Sequence, residues 1–282
     1  MKTVNSISGG KTSAYLAANY QTDLYIFSLV TTNEKNCRLK SDFDRKMVSE
    51  KLGKEFNGTL EDDKIINTIF DLEQFLGKEI IWVSAEPFED IVNSNAILPN
   101  LKARFCTTEL KIKPIVHKLM QLNALPCKMQ IGYRANEGRR VENMRKRVSE
   151  NGFIQFKMEI GTHIKGRHKG NKQWGNINYC TPSFPLFDDH INKVEVVNFW
   201  KRKPVRFAEI NNCIGCFHRN PPLLNKMSIQ FPEKFKWFIE QEINIGGTWK
   251  KGITYKSIAS HKPQIELNFS DFSECDSGHC EI

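Results

Sequence analysis

Long apolar runs are missing from this chain of 282 residues. No stretch of eighteen apolar residues occurs, so no membrane partner is expected. No apolar signal core lies ahead of a cleavage site, and the reading that follows is a cytoplasmic protein. No internal repeat and no low-complexity segment is found, which leaves an ordinary globular chain. Two familiar nucleotide-loop patterns are also missing. G-x-G-x-x-G does not occur. Aligning Gly10-Lys11-Thr12 to the end of a Walker A loop puts Asn5 where its first glycine belongs, so that match fails.

What is present sets wide limits. A 40% hydrophobic content can bury one large core, or one domain with a smaller appendage. The formal net charge is +9. Such a balance suits a polyanionic partner, a nucleic acid or a small phosphate- or sulfate-rich substrate. Eight cysteines are many for a reducing compartment, where metal binding or thiol chemistry is the better default than disulfides.

Strand and helix patterns alternate through the first half. Leu24 to Val30, Glu79 to Val83 and Met129 to Tyr133 read as strands. Helical spacing runs through Phe43, Met47 and Leu52, from Ile65 to Phe75, from Thr107 to Leu122 and from Glu137 to Val148. This order predicts an α/β fold, a doubly wound parallel sheet with helices on both faces and ligands at the carboxyl ends of its strands. The character changes near residue 161, giving an expected division into 1–160 and 161–282. Gly161 to Gly175 carries Lys165, Arg167, His168, Lys169 and Lys172 among glycines and reads as a basic loop. Helices are expected over Lys193 to Lys203, Leu223 to Gln230 and Glu233 to Asn244, then a polar acidic tail from Asp271 with Cys275 and Cys280.

Four constellations carry chemistry. The first is Ser8-Gly9-Gly10-Lys11-Thr12-Ser13, between an expected strand and helix. Glycines let the backbone approach an oxyanion, helix N–H groups point at it, and Lys11 adds a positive charge. The second is Arg104-Phe105-Cys106-Thr107 with Lys111, where cations beside a helix start favour phosphate or sulfate and are expected to lower the Cys106 pKa. The third is Gly132-Tyr133-Arg134 with Glu137, Arg139 and Arg140, whose guanidinium forks suit phosphate oxygens. Basic residues there oppose the helix dipole, which suggests a ligand anion compensates them; pairing with Glu137 and Glu142 is the alternative. The fourth is Cys213-Ile214-Gly215-Cys216, a turn that brings two thiolates together for a metal or a redox dithiol. Cys106, Cys180, Cys275, Cys280 and His218 are candidates for further ligands.

Ser8 to Ser13 resembles the PP-loop, although usual members carry aspartate where this chain has Thr12. With the other three constellations in the same order, the chain resembles the phosphoadenosine phosphosulfate reductase family over residues 1–225. Its phage relatives and the sulfur-transfer subunit of DNA phosphorothioation are included. The resemblance implies an adenine nucleotide α-hydrolase-like fold binding ATP or phosphoadenylyl sulfate (PAPS), with magnesium. It makes Ser8, Gly9, Gly10, Lys11, Thr12, Ser13, Arg104, Lys111, Gly132, Arg139 and Arg140 nucleotide ligands, and gives Lys11 and Arg134 catalytic roles. It implies a [4Fe–4S] cluster on Cys106, Cys213 and Cys216, with Cys180 favoured as the fourth ligand and zinc as the alternative metal.

The leading expectation is an ATP pyrophosphatase that adenylates a substrate for sulfur transfer to, or modification of, nucleic acid, served by a sulfur donor. A second is PAPS reduction with a thiol reductant, in which Cys275 or Cys280 is the nucleophile. The tail echoes the family's Glu-Cys-Gly-x-His with different spacing. A third is a non-catalytic nucleotide- or nucleic-acid-binding protein with structural zinc.

Overall fold

The computed structural model describes residues 1–162, 164–165 and 170–261. Its strands are β1 (Thr3–Ile7), β2 (Leu24–Ser28), β3 (Thr31–Thr32), β4 (Gly58–Thr59), β5 (Ile80–Val83), β6 (Cys127–Gln130), β7 (Ile154–Thr162) and β8 (Lys172–Ser183). Through the first half the helices are α1 (Lys11–Asn19), α2 (Asp42–Leu52), α3 (Lys64–Leu76), α4 (Phe88–Asn95), α5 (Phe105–Thr107), α6 (Lys113–Gln121) and α7 (Gly138–Arg145). They continue with α8 (Pro185–Asp188), α9 (Lys193–Trp200), α10 (Pro221–Gln230), α11 (Pro232–Ile245) and α12 (Tyr255–Ser260).

This is an α/β fold built on a six-stranded sheet of order β5-β2-β1-β6-β8-β7. Every neighbouring pair is parallel except β7 with β8, so the sheet is mostly rather than wholly parallel. The central strands are short apolar runs because both of their faces are buried. Tyr25 and Phe27 face one core with Ala14 of α1, Ile65 and Ile69 of α3 and Val196 of α9. Val4 and Ile26 face the other, with Ile115 and Leu119 of α6 and Val141 of α7.

The chain leaves β1 toward β2 and β5 on one side, then returns to place β6 on the other. The order therefore reverses between β1 and β6, and a crevice opens there at the strands' carboxyl ends.

A third core joins segments far apart in sequence. Val30, Leu60, Phe88 and Leu110 pack with Ile214, Phe217, Phe235, Trp237, Phe238, Trp249 and Tyr255. The expected boundary after residue 160 falls inside β7, and β8 pairs with β6 in the main sheet. Val196 and Trp200 likewise pack against α1 and α3, so burial crosses the expected division.

The expected basic loop is a hairpin at both its ends. β7 runs to Thr162 and β8 begins at Lys172, whose ammonium meets Glu159 at 2.8 Å. Arg167, His168 and Lys169 lie outside the described residues, as do Cys275 and Cys280. Among the described residues no helix is long and apolar enough to cross a membrane.

Candidate functional site

The turn between β1 and α1 is built on two glycines, of which Gly9 needs its left-handed backbone and Gly10 packs against Asn211. Gly9 holds φ +75°, and a Cβ there would stand 2.7 Å from Cγ2 of Ile65. A Cβ on Gly10 would stand 2.5 Å from Nδ2 of Asn211. Ser13 ties the turn together from inside the helix. Its hydroxyl accepts from the Ser8 backbone N–H at 3.1 Å, lies 3.1 Å from the Ser8 hydroxyl and donates to the Gly10 carbonyl at 3.2 Å.

Gly10 is the N-cap of α1 and supplies no capping side chain, and the first turn has no acidic residue. The positive end of the helix and its first N–H groups thus lack an internal anion. Lys11 opens the helix half-buried, its carbonyl accepting from the Trp200 indole N–H at 2.9 Å. Around the turn, Ser6, Ser8, Ser13, Ser28, Gln130 and Gly132 line the crevice with Thr107 and Lys111; no carboxylate is among them.

Thr107 and Lys111 come from a helix that changes pitch. The expected single helix runs from Phe105 to Gln121, with π geometry over Thr108–Ile112. Such a bulge re-aims side chains and frees backbone groups. The Leu110 carbonyl accepts from the Ser28 hydroxyl at 2.9 Å. Lys111 meets Glu61 at 3.2 Å, and Glu61 is only 2% exposed. Nε of Arg104 is buried without a hydrogen-bond partner.

The arginine constellation begins at the neighbouring strand end, because β6 pairs with β1. A Cβ on Gly132 would approach Cγ2 of Thr12 to 3.3 Å, so the two loops touch. Arg134 is buried and its Nε lies 3.2 Å from Glu137, which also pairs with Arg140. The Arg140 guanidinium lies 4.2 Å from the Tyr133 ring centre. Glu137 thus meets Arg134 and Arg140, as the pairing alternative expects, and supplies one negative charge to two guanidinium groups, while Arg139 is exposed.

Cys106, Cys213 and Cys216 line one pocket with Lys111 and His218. The turn between the latter two is clamped. A Cβ on Gly215 would enter the Phe238 ring at 2.5 Å, and the Tyr255 hydroxyl donates to the Gly215 carbonyl at 3.0 Å. Ile214 donates its N–H to the Leu60 carbonyl at 2.8 Å.

Two cysteine expectations fail here. Cys180 lies in β8 opposite Cys127 of β6, in the core under the sheet rather than beside the other three. The Cys106 pKa is pushed up to about 11 rather than lowered. Burial dominates and Cys216 adds to it, outweighing Lys111, the Thr107 hydrogen bond and Arg104. Burial also raises Cys213, with Glu61 reinforcing it.

Three soft thiol donors in one pocket are a partial ligand set for zinc or an iron–sulfur cluster. Among the described residues, however, no group of three or more His, Cys, Asp or Glu could hold a metal ion. Cys275 and Cys280, the other candidate ligands, lie outside the described residues.

Asn211, Glu61 and Ser28 are the site residues that sequence reasoning missed. Asn211 carries a weak signal, two positions before the Cys213 turn, and its amide donates to the Ser8 hydroxyl at 3.4 Å. Glu61 and Ser28 carry none, because only the folded chain brings them to Lys111 and Leu110.

Compared with protein-family models, curated proteins and solved structures, the chain matches none.

Proposed function

We propose that this protein is an ATP pyrophosphatase of the PP-loop, adenine nucleotide α-hydrolase-like type. One observation carries the reading: an uncapped helix N-terminus, preceded by a glycine pair whose first member holds positive φ, stands where the strand order reverses. That place and that chemistry favour phosphoryl oxygens.

In the proposed reaction a substrate oxygen attacks the α-phosphorus of ATP. The new O–P bond gives an adenylate, the α–β bridging bond breaks, and pyrophosphate leaves. Backbone N–H groups of α1, the hydroxyls of Ser8 and Ser13 and the ammonium of Lys11 meet the charge that develops on the phosphates. With no carboxylate lining the crevice, magnesium would arrive on the nucleotide. The adenylated product serves sulfur transfer to, or modification of, nucleic acid, a partner that the net charge of +9 suits.

Pyrophosphate release measured with candidate nucleic acids tests this. Activity that needs both ATP and Lys11 supports it, and failure of the purified protein to bind ATP removes it. The lack of a carboxylate favours a second reading, nucleotide binding without turnover, which the same assay distinguishes.

A further inference from the structure

The two glycines of the β1–α1 turn answer to different constraints. Gly9 holds a left-handed backbone at φ +75°, whereas Gly10 is extended, with φ −93° and ψ 157°. Residues with side chains adopt that second conformation freely. What excludes one at Gly10 is Asn211: a Cβ there would stand 2.5 Å from its Nδ2 and 3.3 Å from its Cγ. A residue from the second half of the chain therefore sets the identity of the second glycine.

Asn211 also reaches the serines of the turn. Its Nδ2 donates to the Ser8 hydroxyl at 3.4 Å. That hydroxyl lies 3.1 Å from the hydroxyl of Ser13, which donates to the Gly10 carbonyl at 3.2 Å. The contacts form a ring that starts over Gly10 and closes on its carbonyl. Ser8 and Ser13 line the crevice and Asn211 does not, so Asn211 shapes the turn from outside the space a ligand would fill.

The segment that carries Asn211 is held on both sides. Ile210 is buried in the third core, and Ile214 donates its N–H to the Leu60 carbonyl at 2.8 Å. The Asn212 amide, oriented so that both its ends are satisfied, donates to the Asn211 carbonyl at 3.0 Å and accepts from the buried Arg219 at 3.3 Å. The fold thus presets the place of Asn211 over Gly10. Geometry fixed in advance spares a site the cost of ordering on binding.

We propose that Asn211 is a positioning residue for nucleotide binding, an inference that rests on the ATP reading above. Its amide keeps the Ser8 hydroxyl and the Gly10 backbone in the register that phosphate oxygens need at the start of α1. Donors that drift from that register make longer, poorly aligned hydrogen bonds to the anion.

The test uses the full chain, with ATP and inorganic pyrophosphate as probes in titration calorimetry. Asn211→Ala should weaken both roughly tenfold, the loss of about 1.4 kcal/mol. Asn211→Asp keeps the shape but loses the donor, so it should weaken both at least as much; a side chain that only filled space would leave affinity at the parent value. Gly10→Ala should weaken both as well, and the losses should not add. With Asn211→Ala in the same chain the new methyl has room, so the double variant should bind no worse than Gly10→Ala alone. The same non-additivity should appear in urea unfolding without nucleotide, which reads the Gly10 contact apart from any ligand. Parent affinity in either Asn211 variant, or losses that simply add, would overturn the proposal. A parent chain that binds neither probe removes the nucleotide reading, and this role with it, whatever the unfolding cycle shows.

Discussion

Gly132 and Thr12 meet across the seam between β6 and β1, where a Cβ on the glycine would stand 3.3 Å from the threonine Cγ2. The contact joins two loops separated by more than a hundred residues and fixes where the first turn of α1 sits. Gly132→Ala should displace that turn by tenths of an ångström and weaken nucleotide binding by about tenfold, or about 1.4 kcal/mol. Titration calorimetry with ATP checks this. Unchanged affinity would show that the seam does not position the nucleotide.

Gly9→Ala should act on folding as well as on binding. The left-handed φ of +75° penalises any side chain, and Ile65 occupies the space a methyl would need. The expected loss is at least about 1–2 kcal/mol, read from chemical denaturation. Gly77→Ala provides a reference, because it shares positive φ (+60°) but meets nothing within 4 Å. It should cost clearly less.

Glu137→Gln should destabilise the protein, because it removes the carboxylate that meets both the buried Arg134 and Arg140. Removing one member of such a buried pair costs about 3–5 kcal/mol. Urea unfolding measures it. A loss below roughly 1 kcal/mol, the range of exposed pairs, would contradict the pairing described here.

The buried thiols make alkaline stability fall in a defined window. Below the ordinary thiol pKa of 9.0, both folded and unfolded chains hold Cys106 neutral. Between there and about 11 the unfolded chain releases a proton that the folded chain keeps, so stability declines as pH rises. Cys37 and Cys127, each pushed up to about 12 by burial, extend the decline. Denaturation midpoints measured across that range should fall for the parent and fall less for Cys106→Ser. Alkylation of Cys106 near pH 8 should be much slower in the folded than in the unfolded chain.

The parallel strands and the glycine turn were legible because their signals are local: continuous apolar runs, and a glycine pair before helix formers. The hairpin of β7 and β8 was not. Its glycines and lysines read as a loop, although Lys172 finds Glu159 across the ladder. Cys180 was misplaced because residue type says nothing of register, and register sets it opposite Cys127. The nearby cations of Cys106 were visible in sequence; the burial that outweighs them was not. Likewise Glu137 is plain in the sequence, yet only the folded turn shows it serving two arginines at once.

Gly215 packs against the Phe238 ring with no room for a side chain, and its carbonyl is held by Tyr255. The spacing of the two flanking sulfur atoms is therefore dictated by an aromatic platform supplied more than twenty positions downstream. Whatever chemistry those sulfurs perform, its tolerance to drift is set by α11 and α12. A change at Phe238 that keeps every cysteine in place should still alter how far apart they stand.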